Sequence, residues 1–388
     1  MKVSIIEPIG GHGGLEFYDL GLCEAAYTQQ VDATLYTCDK TKLHLEYEHA
    51  YNVVLAYKNV FGPSNKIFRG LRYIRGTISS LVDSIRRGSN IAHFHLFHFS
   101  LLEYFNLLIF RIFRFGIVAT IHDVEALDKI KESKSQKKYK KFSKIIDQII
   151  VHNSFTKEEV IKTNQGFEEE KIHIIPPTDI DFFCKEDITK AEARKALDMS
   201  FPKNSRMILF FGQIKKTKGL DILIKAFSEL EDKNIFLVIA GRCWKTDMDR
   251  YRSLIGKLNL EKKIIIIEKY IKNRDVMLLF KASDVVVLPY LKVYNSSVLL
   301  RGMDYGAVNV VSDLDFFTEI IKDGFNGLIF KKGDVEDLRS VLSGIINDEK
   351  QINRIRENSE KFVQQNYSFN VTGKKLRSVY ESLVLTNK

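Results

Sequence analysis

Four glycines within five residues follow the first apolar run of the chain, in PIGGHGGLEF. Because they lack side chains, Gly13 and Gly14 would let a ligand approach the backbone closely, and the helix that follows offers its N–H groups to an anion. The spacing does not form the G-x-G-x-x-G pattern of dinucleotide-binding loops, since Glu16 stands where the last glycine is needed. We therefore expect an anion-binding loop; the alternative is a glycine-rich turn that holds no ligand.

Two histidines stand at the ends of later apolar runs, where a strand passes into a loop. His95 lies in IAHFHLFH and His122 in GIVATIHDVE. A neutral imidazole at His122 can donate a hydrogen bond to a sugar hydroxyl or stabilise developing charge. Alternatively, Asp123 caps a helix and His122 is a bystander. His93, inside its strand, is expected to be half-buried and structural.

A second set of polar residues follows the apolar runs of the C-terminal half. Gly212 ends the strand in MILFFGQIKKTKGLDILIKAF, and Lys218 stands at the start of the next helix. An ammonium group there suits a phosphate, although a surface lysine without a ligand is the alternative. Further on, LPYLKVYNSSVLLRGMDYG predicts the end of a buried strand, a polar turn and a short apolar helix that carries Arg301.

These loops need strands that hold them at a common edge. Runs such as VSIIEP, QIIVHN, IFLVIAG and DVVVLPY alternate with helical patterns, which indicates parallel sheets covered on both faces. The sequence predicts an α/β protein with two doubly wound, Rossmann-like domains, 1–176 and 204–368, facing one another across a cleft. Residues 177–203 are predicted to be a linker, and 369–388 a helix that packs back on the first domain. Ligands of such sheets bind at the carboxyl ends of the strands.

The distribution of charge singles out one part of the N-terminal half. The chain has 388 residues and a formal net charge of +10. Between Lys58 and Asp147 it holds 17 Lys and Arg against 7 Asp and Glu, so the whole excess lies there. The basic stretches 66–87 and 129–144 predict either a solvated helix face or attraction to an anionic membrane surface, worth about 1 kcal/mol per basic residue. No nucleic-acid-binding motif accompanies the lysines, so no nucleic-acid partner is expected.

Cysteine usage and hydropathy favour a cytoplasmic protein. The four cysteines are scattered and form no C-x-x-C pair, which argues against a zinc site or a disulfide framework. The most apolar stretch, LLEYFNLLIFRIFRFGIVATI, is interrupted by charges and predicts a buried or interfacial helix followed by a strand. The first apolar run is too short for a signal peptide. We expect a cytoplasmic protein that can bind peripherally to the inner face of a membrane.

Taken in order, these loops resemble the retaining glycosyltransferases of the GT-B fold, family 4 (glycosyl transferases group 1). GGHGGLE is similar to the family's glycine loop, AHFH and TIHD to its histidine-bearing strand ends, and FFGQIKKTKGLDILIKAF to its G-R-L-x-x-x-K-G segment. MDYGAVNVVSDLDFFTEIIKDGFNGLIF is similar to the long C-terminal signature. The resemblance covers nearly the whole chain. It implies transfer of a hexose or deoxyhexose, with retention, from a nucleotide-sugar donor to a glycan or lipid-linked acceptor in the synthesis of cell-surface polysaccharide or glycoconjugates.

The resemblance also implies roles for individual residues. His122 and Lys218 would be catalytic, His122 near the reacting carbon of the donor sugar and Lys218 at the diphosphate. Gln213 would also contact the diphosphate, in place of the family's usual arginine. His95 and Asp123 would face the acceptor. The remaining donor contacts would come from Gly13, Gly14, Gly212, Asn295, Ser296, Ser297, Val298 and Arg301.

One motif of the family is altered. The two glutamates of its E-x7-E motif fall on Val293 and Arg301, and Arg301 cannot accept hydrogen bonds from ribose hydroxyls. Arg301 would instead pair with phosphate or with Asp304, three residues further on. A donor that lacks the 2′-hydroxyl is another explanation. The remaining alternative is a damaged donor site in a non-catalytic, glycosyltransferase-like partner subunit.

No cofactor is expected, because the nucleotide-sugar is a substrate. Asp247-Met-Asp249 lies in a polar, helix-like stretch that is expected to be solvated, so no metal is expected either. Lys218, helix dipoles and Arg301 would neutralise the leaving diphosphate instead. A nicotinamide-dependent dehydrogenase is a weaker alternative, because the glycine loop lacks the spacing that it needs.

Overall fold

The computed structural model of the chain describes residues 1–386 except for 12–14, 43–48, 98, 123–139, 163–165, 178–185, 200–201, 203–204, 233 and 245. Gly13, Gly14, Asp123 and most of the basic stretch 129–144 therefore lie outside the described residues. The predicted roles of those residues stay predictions.

The first of two units comprises Met1–Ile180 and Asn366–Lys388. Its strands are β1 (Lys2–Glu7), β2 (Asp32–Cys38), β3 (Asn52–Tyr57), β4 (Ile91–Leu96), β5 (Gly116–Ile121), β6 (Gln148–Val151) and β7 (Ile172–Ile174). They pair in parallel in the order β3-β2-β1-β4-β5-β6-β7. Every residue of β4 and β5 is buried, as expected for strands covered on both faces.

Helices cover this sheet and connect its strands. Within the described part of the chain before residue 180 they are α1 (Leu15–Thr28), α2 (Lys66–Arg87), α3 (Leu101–Ile112) and α4 (Ser154–Lys162). α3 begins at a capping box: the Ser100 hydroxyl accepts from the Glu103 N–H, and the Glu103 carboxylate accepts from the Ser100 N–H. The sequence of α3 followed by β5 confirms the prediction for the most apolar stretch. Among the helices that the structure describes, none has both the length and the apolar character needed to cross a bilayer.

The second unit comprises Asp181–Gln365 and repeats the same architecture. Its strands are β8 (Arg206–Phe211), β9 (Ile235–Ala240), β10 (Ile264–Ile267), β11 (Val285–Leu288), β12 (Val308–Ser312) and β13 (Leu328–Phe330). They too pair in parallel, in the order β10-β9-β8-β11-β12-β13. The predicted α/β class with two doubly wound sheets is confirmed.

The helices that belong with the second sheet bury apolar side chains against it. They are α5 (Lys190–Ala196), α6 (Leu220–Ser228), α7 (Asp249–Lys257), α8 (Asn273–Ala282), α9 (Ser297–Asp304), α10 (Asp315–Ile320), α11 (Val335–Ile345) and α12 (Glu349–Tyr367). Leu223 of α6, Leu342 of α11 and Ile352 of α12 are fully buried in the core cluster that includes β8 and β9.

Each sheet has one place where the strand order changes direction. β1 lies between β2 and β4, and β8 lies between β9 and β11. At such a switch point the following loops diverge to opposite faces and leave a crevice at the carboxyl ends of the strands, which is where α/β sheets bind ligands. The residues that end β1, β4, β8 and β11 are therefore the first candidates for a functional site.

The segment predicted as a linker is anchored to the second unit. Asp284, fully buried, accepts hydrogen bonds from Lys190 and Arg194 of α5 at 2.8 Å each and from the backbone N–H of Met207 at 2.8 Å. These contacts hold α5 against the start of β8. The boundary between the units accordingly falls at residues 180 and 181.

The helix α13 (Phe369–Thr386) belongs to the first unit, although it follows the second unit in the sequence. It packs along α1, and Gly373 permits the close approach, because a Cβ there would overlap the carbonyl oxygen of Ala25. Tyr380 of α13 reaches the interior, where its hydroxyl is 2.8 Å from Nδ1 of His93.

Candidate functional site

A buried group of one histidine and two carboxylates lies at the switch point of the first sheet. Glu7 ends β1, His95 is near the end of β4, and Asp19 is on α1. Nδ1 of His95 is 3.1 Å from Oε2 of Glu7 and 3.0 Å from Oδ1 of Asp19, and all three side chains are fully buried. Burial disfavours an imidazolium, but the two carboxylates outweigh it and raise the pKa of His95 to about 9. His95 is therefore positively charged at neutral pH.

This environment gives His95 an electrostatic role inside the unit, and its predicted contact with an acceptor stays a prediction. Its side chain is enclosed and held by Glu7 and Asp19. Glu7 also accepts the backbone N–H groups of Ile9 and Gly10 through Oε1, at 2.7 and 3.3 Å. The ion pair thus fixes the beginning of the glycine loop. Burial also raises the pKa of Asp19 to about 7, while the neighbouring His95 acts in the opposite direction.

The protonation state of His122 follows from a chain of contacts that starts at a backbone carbonyl. Nδ1 of His152 is 3.0 Å from the carbonyl oxygen of Ile175, which only accepts, so this nitrogen carries the proton. Burial lowers the pKa of His152 to about 4, so its Nε2 is bare at neutral pH. Nδ1 of His122, 3.4 Å from that Nε2, is then the donor.

His122 is consequently a neutral imidazole with a bare Nε2 atom. Burial, and next the positive charge of His95, hold the pKa of His122 well below its usual value. Its Nε2 atom is buried without a hydrogen-bond partner among the described residues. The prediction that His122 is neutral stands, but the predicted donation to a sugar hydroxyl is reversed, because this tautomer accepts.

Aromatic rings enclose the histidines. The ring of Phe97 is stacked on His122 at 4.7 Å between centroids and 8° between planes. The ring of Tyr18 meets His95, His122 and His152 edge-on at 5.3, 4.7 and 5.1 Å. His93, predicted to be half-buried, is fully buried instead, because Tyr380 and Thr120 bond its two ring nitrogens at 2.8 and 2.7 Å.

The same cluster bears on the question of a metal. Within the described part of the chain, Glu7, Asp19 and His95 form a group whose candidate ligand atoms lie within 4.8 Å of one another. Their separations of 3.0 and 3.1 Å are ion-pair distances, and an imidazolium beside two carboxylates accounts for them. We therefore interpret the group as an ion pair, and metal independence stays a prediction.

A second group of candidate residues lies at the switch point of the other sheet, in the loops after β8 and β11. Nζ of Lys218 is 3.5 Å from the centroid of the Tyr290 ring. The two loops are also joined by a hydrogen bond of 2.8 Å from the N–H of Leu291 to the carbonyl of Thr217. Burial, helped by the positive charge of Lys215, lowers the pKa of Lys218 to about 7. A neutral amine at this position would take up a proton when an anion binds beside it.

The polar turn before α9 faces the same place. Ser296 is the N-cap residue of α9 and is 4% exposed, although its side chain makes no capping hydrogen bond. Its hydroxyl lies beside that of Tyr290. A Cβ at Gly212 would lie 3.4 Å from a methyl group of Val298, so the end of β8 faces the first turn of α9. The N–H of Leu299 already donates to Ser296, at 3.2 Å. The amides that helix geometry leaves for an anion are therefore those of Ser297 and Val298.

The other predicted donor residues are more peripheral. Gln213 and Asn295 are exposed, and Ser297 presents its side chain to solvent. Val293 and Arg301 are half-buried, with Arg301 one turn into α9. The structure thus brings together Gly212, Lys218, Ser296 and Val298. Whether Arg301 serves phosphate or Asp304 stays a prediction.

Gly219 joins Lys218 to α6 and makes the junction of the two loops possible. Its φ is +63°, and a Cβ there would overlap the carbonyl oxygen of Pro289. We expect Gly219→Ala to destabilise the second unit by about 3 kcal/mol, from the left-handed backbone and the overlap together. Thermal unfolding measures this. The matched control is Gly344→Ala on α11, where nothing lies within 4 Å and alanine should stabilise the helix by about 0.5 to 1 kcal/mol. Equal melting temperatures for the two variants would contradict the prediction.

Sequence reasoning did not identify five residues of the two groups as site residues. Glu7 and His152 end or follow strands that meet at the same edge, so the rule that located His122 could have located them. Tyr18 and Asp19 lie on a helix and Tyr290 within an apolar strand end, where pattern alone predicts core. The missed set is Glu7, Tyr18, Asp19, His152 and Tyr290.

Two family models match this chain, one in each unit. Glycosyltransferase Family 4 matches residues 12–178, and Glycosyl transferases group 1 matches residues 193–362. An uncharacterized glycosyltransferase of Methanocaldococcus jannaschii is 26% identical over 246 residues, 62% of this chain and 57% of that protein. A D-inositol 3-phosphate glycosyltransferase of Xylanimonas cellulosilytica is 23% identical over 207 residues, 52% of this chain and 49% of that protein. The chain thus spans about half the length of these relatives.

Solved structures share the fold over the full length of the chain. Sucrose-phosphate synthase from Thermosynechococcus elongatus superposes with a TM-score of 0.75 at 16% identity, covering 100% of both chains. HepE of Anabaena, solved in complex with UDP-glucose, superposes with a TM-score of 0.73 at 18% identity, covering 98% of this chain and 100% of that one. With a family match in each unit and this fold, the chain belongs to the GT-B glycosyltransferases of family 4, group 1.

Proposed function

We propose that this protein is a retaining glycosyltransferase that transfers a hexose or deoxyhexose from a nucleoside-diphosphate sugar to a glycan or lipid-linked acceptor. The observation that carries the proposal is that Lys218, Ser296 and the N-terminus of α9 lie together at the switch point of the second sheet. A cation, a hydroxyl and helix N–H groups at one point suit a diphosphate. HepE, which shares this fold and was solved in complex with UDP-glucose, supports a donor of this kind.

The reaction breaks the bond between the anomeric carbon and the diphosphate oxygen and forms a bond from the acceptor oxygen to that carbon, on the same face. The acceptor proton passes to the leaving phosphate. Negative charge grows on the diphosphate as the bond breaks, and Lys218 with the first amides of α9 stabilises it without a metal. The protein thereby supplies position and electrostatics.

His122 serves the donor sugar in this proposal. Its bare Nε2 accepts a hydrogen bond from a sugar hydroxyl and places a neutral ring beside the reacting carbon. Positive charge develops on that carbon, so an imidazolium at this position would oppose the reaction. Burial, and next the positive charge of His95 at 5.1 Å between ring centroids, lowers the pKa of His122 and keeps it neutral.

We propose that the acceptor is an intermediate in the synthesis of a cell-surface polysaccharide or glycoconjugate. The protein would work in the cytoplasm, bound peripherally to the inner face of the membrane. The basic stretch 66–87, which the structure shows as α2, supports attraction to anionic lipid. Of the second stretch, only residues 140–144 are described.

Isothermal titration calorimetry tests the donor site. We expect UDP-, GDP- or dTDP-sugar to bind, and UDP and its 2′-deoxy counterpart dUDP to bind with equal Kd, because Arg301 cannot accept from the 2′-hydroxyl. Arg301→Glu is expected to create a preference for UDP over dUDP of about tenfold, the worth of one such hydrogen bond.

The control for Arg301→Glu is Arg354→Glu on α12, an equal change of charge at an exposed position of the same unit. If none of the nucleotides or sugars binds, the donor site is damaged and the non-catalytic partner subunit replaces the enzyme as the better explanation. Sugar transfer or donor hydrolysis by the isolated chain would exclude that alternative.

A further inference from the structure

Five apolar side chains of the helix α2 are exposed on one side of it. Ile67, Leu71, Ile78, Val82 and Ile85 are 71, 57, 46, 40 and 46% exposed. At ~100° per residue these five positions fall within about 60° of one another around the helix axis. They form one row, which we call the apolar stripe of α2.

The residues on the opposite face of α2 explain the orientation of the helix on the sheet. The residues that pack against the sheet are small, namely Gly76, Thr77, Ser80 and Ser84, together with Leu81. Gly76 lies against the ring of Tyr57, and Ser84 bonds Ser4 of β1 at 2.7 Å. Small residues let the helix approach the sheet closely, which fixes the apolar stripe outward.

A row of this kind is unusual for a surface helix. Helices of globular proteins pack their apolar face inward, and single exposed apolar residues need no explanation, whereas a contiguous exposed row marks a binding surface. None of the five residues of the stripe is among the buried core residues.

Cations accompany the apolar stripe. α2 carries six basic residues and one acidic one, Asp83, whose carboxylate is bonded to Arg87 at 2.7 Å. Arg69 and Arg72 bond the carbonyls of Val60 and Asn59 at 2.8 and 3.1 Å. Arg75 and Arg86 are exposed at the edge of the stripe. Apolar side chains flanked by arginines match the boundary between acyl chains and anionic headgroups.

We propose that the apolar stripe of α2 enters the interfacial layer of an anionic bilayer, with Arg75 and Arg86 on the lipid phosphates. The inference deepens the proposed membrane partner, since it names apolar insertion as well as charge attraction. A second copy of this chain suits the surface less well, because a two-fold contact would set like charges of the two helices opposite one another.

Co-sedimentation with phosphatidylcholine vesicles, with and without phosphatidylglycerol, tests the proposal. The triple variant Leu71→Gln, Ile78→Gln, Val82→Gln keeps the charge and uses a good helix former. We expect it to lower partition into the anionic vesicles by at least about tenfold. Arg75→Gln with Arg86→Gln is expected to lower it by about 30-fold, at ~1 kcal/mol per charge, with little effect on neutral vesicles.

The controls are Phe325→Gln and Arg354→Gln, an exposed apolar residue and an exposed cation of the second unit. Both are expected to partition as wild type. UDP binding by calorimetry, measured on every variant, reports on the donor site separately, so that failure of the membrane surface and failure of the proposed function are distinguishable.

Three results would overturn the proposal. The triple variant could partition as wild type while the arginine variant does not, which would leave charge attraction alone. Wild type could bind neither kind of vesicle and be monomeric. Wild type could be a dimer by analytical ultracentrifugation that the triple variant dissociates, which would assign the stripe to a second copy.

Discussion

Lys218→Ala is expected to lower kcat/KM for the nucleotide-sugar by about 100- to 1,000-fold, the usual cost of removing one donor to a developing oxyanion. The ammonium group lies above the Tyr290 ring, beside the turn that caps α9. Its loss removes one positive charge from the proposed diphosphate site. Steady-state kinetics with the donor identified by calorimetry measures the effect.

The pH dependence of donor binding distinguishes this role from a structural one. Burial lowers the pKa of Lys218 to about 7. Below pH 7 the free protein already holds the ammonium, and above it the diphosphate must draw a proton onto the amine. Donor affinity should therefore fall as the pH rises above 7, with proton uptake visible as a buffer-dependent binding enthalpy. Lys218→Ala should lose both effects.

Lys215 and Lys216 provide the matched variants. The charge of Lys215 helps to depress the pKa of Lys218. Lys215→Ala should therefore move the fall in affinity to higher pH, whereas Lys216→Ala, at an exposed position, should leave the pH profile unchanged. A wild-type affinity that is flat from pH 6 to pH 9 would exclude Lys218 as the diphosphate cation.

His122→Ala is expected to lower kcat for sugar transfer by about 100-fold while leaving Kd for the free nucleoside diphosphate unchanged. The variant removes the bare Nε2 atom from the site. His122→Gln offers a carbonyl oxygen at a similar distance from the backbone and should recover part of the rate, because an amide oxygen also accepts. Rapid-quench kinetics separates this step from donor binding.

His152→Phe tests the tautomer of His122 directly. The substitution keeps an aromatic ring beside Tyr18 but removes the nitrogen that accepts from Nδ1 of His122. We expect about a tenfold loss of kcat. Nitrogen chemical shifts should also show His122 changing from the Nδ1–H form to a mixture of tautomers. An unchanged spectrum would contradict the assignment of the His122 tautomer from the hydrogen bonds that link it through His152 to the Ile175 carbonyl.

The fold was predictable because short segments of the sequence, read one at a time, indicate its strands and loops. Buried Val and Ile runs at regular intervals require parallel strands covered on both faces, and the polar loops that follow the strands meet at one edge whatever the helices do. Lys218, Gly212 and His122 follow strand ends and were found by this rule.

The side-chain contacts inside the two groups were not predictable from the sequence. They join residues that are far apart in the chain, and no sequence pattern gives the distance between them. Nothing in the pattern indicates that Asp19, on an apolar helix, faces His95, or that Tyr290 supports Lys218. The orientation of α2 is the clearest case. Its apolar row predicts burial, yet Gly76 and Ser84 on the other side decide the contact with the sheet.

The position of α13 in the first unit has a consequence for how the protein is made. The ribosome releases the strands of the first sheet early. Two residues that complete this unit are translated only after the whole second unit. They are Tyr380, which bonds His93, and Gly373, which packs against α1. Domains generally fold as they emerge, N-terminal first. Here the first unit must wait, with α1 uncovered, while the second one folds. The nascent chain therefore exposes an apolar helix for the time that residues 181–365 take to be synthesised, and it is at this stage that chaperone binding should matter most.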